Sequence, residues 1–214
     1  SIGFHSGSGK SAENYQTMGE VTGGNLEIKT SGRYTYEMGI ALSKSDDPSD
    51  QALWSDWYEF TRAIALNSAF SEDETERSMA REFIQNALDL EGRNDSYETI
   101  EECRAVMAAF DPNPEHMFWF EYNFLYVLAA NGKTDKAALG DHSPAGYRQR
   151  ARFYSISDSG RLEFGRRIAA YIIFLADNTG LVDGETCQGA RERLEAYTAY
   201  SDFLDEIRPA VFVS

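Results

Sequence analysis

A histidine, three serines and a lysine are packed among glycines at residues 5–11, HSGSGKS. Backbone N–H groups, hydroxyls and an ammonium in such a loop can hold an anion, and His5 could bind a metal or polarise a carbonyl. Three readings of this stretch place different demands on the residues around it. A nucleotide P-loop requires G-x-x-x-x-G-K-[ST], so that successive N–H groups wrap the phosphates and the lysine reaches the β/γ oxygens. Gly9-Lys10-Ser11 supplies the second half, but Phe4 stands where the first glycine belongs and Gly3 comes one residue too early. In the second reading the glycines form a tight strand-to-helix turn that ends on Ser11 as a helix N-cap. In the third, the stretch is a strand-end loop of a (β/α)8 barrel, where active-site groups sit and where loops after the last strands hold an anionic substrate group. His5 would then end its strand, with Ser6, Ser8 and Lys10 behind it. Lys29-Thr30-Ser31-Gly32 repeats the pattern, so two adjacent strands would converge their lysines and hydroxyls on one anion.

The elements that must position these groups are short. Residues 2–5 (IGFH) and 25–30 (NLEIKT) read as strands bounded by glycine, serine or asparagine. SAENYQTMGEV between them reads as a helix starting at Ser11 and stopping before Gly23-Gly24, which makes one βαβ unit. The remainder is helical in period. Tyr34, Met38 and Ala41/Leu42 share one side of a helix over 31–45. Asp47 then caps a helix with Pro48 at its first position, whose stripe is Leu53, Trp54, Trp57, Tyr58 and Ile64. Ser71–Glu74 reads as a capping box for a helix ending at Leu90 before Gly92, and Asp95 with Glu98 as the opening of another to about Phe110. An aromatic helix over 115–131 and a polar break over 131–146 follow. Further helices are expected at about 146–157 and 159–178, and a last one capped by Asp183 or Thr186 runs to about Ile207. The expected fold class is mainly α with one βαβ unit at the N-terminus. A single domain over 1–214 is expected, with 1–45 of barrel type and 46–214 helical.

Composition narrows the partners. A net charge of −15 opposes phosphate-backbone binding, so no nucleic acid is expected. The longest apolar run, 117–130, is interrupted by Glu121 and Asn123 and falls short of the roughly 20 residues that span a bilayer, so no membrane is expected either. Cys103 and Cys187 are too few and too far apart for a disulfide framework, and no charged n-region precedes an apolar h-region. The expected setting is cytoplasmic. Aromatic residues at 13% of the chain promise a bulky buried face.

HSGSGK (5–10), TGG (22–24) and KTSGRYTYE (29–37) together resemble the late barrel segment of the tagaturonate epimerase family, which reads approximately HSGSDK, TGG and KTAGTSYLE. The likeness covers some 35 residues, continues more faintly to residue 70 and gives way to a helical tail. It implies the last two strands and C-terminal helices of a TIM (β/α)8 barrel, in a metal-dependent epimerase that interconverts the keto sugar acids tagaturonate and fructuronate. On that resemblance His5 is a divalent-metal ligand, and Ser6, Ser8, Lys10, Lys29 and Thr30 hold the substrate's carboxylate or hydroxyls. The stereocentre that changes lies one carbon beyond the ketone's neighbour. Proton abstraction beside the carbonyl would not invert it, whereas carbon–carbon cleavage to a metal-stabilised enolate and rejoining would. Gly9 departs from the family's acidic residue. The chain also begins at the penultimate strand, so it is expected to be a fragment or homologue, catalytically incomplete at this length. His116 and His142 are read as structural or solvent-exposed.

The rival is a non-catalytic helical binding or assembly protein that oligomerises with its own copies through the aromatic helix and an open sheet edge.

Overall fold

The computed structural model describes residues 1–4, 9–128, 148 and 150–211, with side chains except at 31, 128 and 207–211. The protein is mainly helical, with a short two-stranded parallel sheet near its N-terminus. Strand β1 (Ile2–Phe4) pairs with β2 (Leu26–Ile28) so that Ile2 faces Leu26 and Phe4 faces Ile28. The ladder extends past the strands, with Ile2 N–H donating to Asn25 O at 3.1 Å and Lys29 N–H to Phe4 O at 3.0 Å. Helix α1 (Ala12–Thr22) makes the crossover. Ser11 caps it by accepting Asn14 N–H, and Gly23 ends it at φ 59°, a left-handed conformation that glycine adopts without a Cβ clash. The strand–helix–strand order expected from the sequence is therefore present, with β2 shorter than the expected 25–30. Helix α2 (Ser31–Ser43) follows β2.

The chain divides into two compact units, residues 1–41 with 157–214, and residues 42–156. In the first, α1 packs on α7 (Asp158–Asn178), which also carries α8 (Gly184–Ala196) and α9 (Tyr200–Val211). A Cβ at Gly19 would lie 2.1 Å from the carbonyl oxygen of Thr179, so only glycine lets α1 approach the end of α7 this closely. Ser157 caps α7 and Asp183 caps α8. The single last helix expected to run to Ile207 is in fact two. Helix α8 ends at Ala196, and the Asp202 carboxylate collects the N–H groups of Thr198 (3.1 Å) and Ala199 (2.9 Å) where α9 starts.

In the second unit α3 (Pro48–Ser68) packs on α4 (Glu74–Leu90), α5 (Ile100–Ala108) and α6 (Met117–Leu128). Asp47 caps α3 ahead of Pro48, and the predicted stripe Leu53, Trp54, Trp57, Tyr58 and Ile64 is buried. Trp57 stacks on Tyr126 with centroids 5.7 Å apart, and its indole N–H donates to Asn123 O at 2.7 Å. Gln51 Nε2 donates to the Leu42, Ser43 and Ser45 carbonyls, satisfying groups that the end of α2 leaves open. Two expected caps are corrected. Asp73, not Ser71, caps α4, while the Ser71 hydroxyl binds Glu76 Oε2 at 3.0 Å. Thr99 with Glu102, not Asp95 with Glu98, forms the capping box of α5, whose first helical residue is Ile100. A short 3-10 turn, Arg152–Ser155, lies within the helix expected over 146–157. The polar break over 131–146, with His142, lies outside the described residues. Among the described residues no helix is long and apolar enough to cross a membrane.

Candidate functional site

The glycine-rich loop leaves β1 after Phe4, and its residues His5, Ser6 and Ser8 lie outside the described residues. Gly9 has a φ of 74°, which again suits glycine, and the chain passes through Lys10 into the Ser11 cap. Tyr15 on the first turn of α1 is fully buried. Its hydroxyl accepts Lys10 N–H at 3.3 Å and lies 3.1 Å from the hydroxyl of Tyr171 on α7. Burial, and then the hydrogen bond shared with Tyr15, push the Tyr171 phenol well above its usual range, so it stays neutral. The two tyrosines tie the exit of the loop to α7.

A cleft of about 540 Å³ opens beside this tie, lined by Gly9, Lys10, Arg33, Glu37, Arg167 and Tyr171. Helix α2 contributes Arg33 and Glu37 one turn apart, the spacing at which opposite charges meet on a helix. Glu37 is 2% exposed and serves two guanidiniums, Arg33 within its own helix and Arg167 Nε at 2.6 Å from α7. The Arg33 guanidinium lies over two rings, 4.8 Å from the centroid of Tyr171 and 5.0 Å from that of Tyr36. Its Nε is buried and has no hydrogen-bond acceptor among the described residues. Arg167 also lies 3.5 Å from Glu163, one turn earlier on α7. Three cations thus face two carboxylates in a chain of net charge −15. Such a cleft can hold an anionic group of a small molecule, with Tyr171 and Phe174 as its apolar wall.

The sequence-predicted residues are only partly gathered here. Lys10 lines the cleft, is exposed, and has no carboxylate partner among the described residues. Lys29 and Thr30 do not line it. Lys29 is exposed just past β2, where its N–H continues the ladder, and the Thr30 carbonyl accepts Arg33 N–H at 2.9 Å as α2 begins. The sequence reading missed Arg33, Glu37, Arg167, Tyr15 and Tyr171. The i,i+4 pair Arg33–Glu37 was visible within KTSGRYTYE, but nothing local pointed to Arg167 or Tyr171.

The described residues do not by themselves fit a metal. No three His, Cys, Asp or Glu side chains among them are grouped to hold an ion, and the carboxylate inside the cleft, Glu37, is committed to two arginines. In the second unit His116 is fully buried, with Tyr58 Oη 2.6 Å from its Nδ1 and Glu91 Oε1 3.4 Å from its Nε2, a structural histidine of the aromatic core. Set against family models, curated proteins and solved structures, the chain matches none.

Proposed function

We propose that this chain carries the substrate-holding end of a metal-dependent (β/α)8-type sugar-acid epimerase acting on tagaturonate and fructuronate, as a part or homologue of such an enzyme. The reading begins from the resemblance of residues 5–37. The observation that carries it is the parallel β1–α1–β2 unit followed by α2, with Lys10 after the first strand and Arg33 after the second lining one cleft. A carboxylate-bearing sugar suits a cleft of this charge. His5 is the residue read as ligand to a divalent metal, with further ligands required beyond the described residues. The two buried free thiols, Cys103 and Cys187, suit a reducing setting such as the cytoplasm.

The test is to incubate the purified chain with tagaturonate, with and without added Mn²⁺ or Zn²⁺, and to follow fructuronate by NMR. Metal content is measured in parallel on the wild type and His5→Ala. Binding of either keto acid, with metal retained by the wild type and lost from His5→Ala, supports the reading. A chain that binds neither acid, holds no divalent metal and is indifferent to His5→Ala sinks it.

A second reading, a helical assembly protein, draws on Phe120 and Phe124, four residues apart on α6 and 47% and 45% exposed. Sedimentation of the wild type against a Phe120→Ser/Phe124→Ser variant checks it, a dimer that becomes a monomer being the expected sign.

A further inference from the structure

We propose that Arg33 and Arg167, held in place by Glu37, are the anchor for the ligand's carboxylate. Lys10 serves as a rim charge. This rests on reading the cleft as the sugar-acid end of the site, and it assigns the anionic contact to two residues outside the set that the resemblance implies.

Three features of the cleft carry the inference. The first is preorganisation. Each guanidinium is pinned by the Glu37 carboxylate, and that of Arg33 also lies over the rings of Tyr36 and Tyr171. Little side-chain freedom is left to lose when an anion arrives, and the planar fork suits a carboxylate better than a lysine does. The second is residual access. The Arg33 and Arg167 side chains remain 28% and 25% exposed, and both line the cleft, so each can still present a donor to a ligand.

The third is charge. Lys10, Arg33 and Arg167 line the cleft with Glu37 as the carboxylate among them, and Glu163, 3.5 Å from Arg167, lies outside that lining. The cleft therefore carries a positive surplus that suits an anionic group. The sugar body would lie along Tyr171 and Phe174, whose apolar faces line the same cleft. Glu37 is a positioning residue on this account. It touches the two arginines and sets the charge of the cleft.

The experiment titrates the full chain with galacturonate, galactose and glucose 6-phosphate, followed by NMR or calorimetry. The proteins are the wild type, R33Q, R33K, R167Q and E37Q, with R193Q at an exposed arginine as control. Galacturonate is expected to bind at least tenfold more tightly than galactose. R33Q and R167Q should each weaken it tenfold or more, R33K by several-fold, and R193Q by less than twofold. E37Q adds one positive charge to the surplus of the cleft, so its preference should shift toward glucose 6-phosphate by about fivefold or more. A merely structural role for Glu37 would weaken both ligands alike. Should R33Q or R167Q fail to fold, phenylglyoxal labelling of the wild type read by mass spectrometry keeps the test open: galacturonate should protect Arg33 and Arg167, and galactose should not.

Equal binding of galactose and galacturonate, no effect of the arginine variants, or no protection overturns the anchor. Failure of the epimerase reading looks different. Galacturonate held through Arg33 and Arg167 without any epimerisation of tagaturonate sustains the anchor and sinks only that reading. Epimerisation that ignores R33Q and R167Q does the reverse.

Discussion

The hydroxyl of Tyr58 lies 2.6 Å from Nδ1 of His116 within the aromatic core of the helical unit 42–156. A neutral imidazole accepts from Tyr58 at Nδ1, while its buried Nε2 lies 3.4 Å from Glu91 Oε1 and makes no hydrogen bond among the described residues. Burial pushes the His116 pKa down to about 4, against about 6.5 for an exposed histidine.

The sign of the resulting pH dependence follows from that shift. The folded protein refuses a proton that the unfolded chain accepts, so stability is full above pH 6.5 and is lost as pH falls from 6.5 toward 4. His116 should account for up to about 3 kcal/mol of this loss. Urea melts of wild type and His116→Gln at pH 7.5 and pH 4.5 provide the check. The variant should be less stable at pH 7.5 and lose distinctly less on acidification.

Gly19→Ala should destabilise unit 1–41 with 157–214 by at least about 1–3 kcal/mol, because the added methyl meets a backbone carbonyl that cannot rotate away. Gly23→Ala, at φ 59° but in open space, should cost only about 1–2 kcal/mol. Urea midpoints of the two variants, compared with wild type, decide the order. A Gly19→Ala protein as stable as wild type would mean that α1 and the end of α7 do not approach in this way.

Thr99→Ala removes the side chain that accepts Glu102 N–H at 3.2 Å and leaves the start of α5 half capped. A loss of about 1 kcal/mol is expected. Asp95→Ala should cost less, since Asp95 pairs with Arg93 on the surface and does not cap the helix. Paired denaturation curves would reveal the reverse order if Asp95 were the cap.

Cys103 is buried and its thiol is pushed up to about 11 by that burial, so little thiolate exists near neutral pH. Iodoacetamide at pH 8 should label it at least a hundredfold more slowly in the native protein than in 6 M urea. Mass spectrometry of the Cys103 peptide over time reads this directly. Rapid native labelling would show that α5 opens.

The helical character, the strand–helix–strand start and several boundaries were legible because their signals act within three or four residues. Asp47 before Pro48 stops and starts a chain in the same way wherever it lies, and Ser11, Gly23 and Gly92 likewise define ends locally. Where two capping candidates stood close together the local signal could not choose between them. Tertiary packing selected Asp73 over Ser71 and Thr99 over Asp95 by fixing where α4 and α5 meet α3.

The cleft shows the same division. Glycines, a lysine and the one-turn spacing of Arg33 and Glu37 could be read along the chain. That Glu37 also meets Arg167, 130 residues later, and that Tyr15 meets Tyr171, 156 residues later, depends on α7 packing against the N-terminal helices. A period tells which face of a helix is apolar. It carries no information on which distant face will cover it, so charge compensation and tyrosine pairing in the cleft were settled only by the folded path of the backbone.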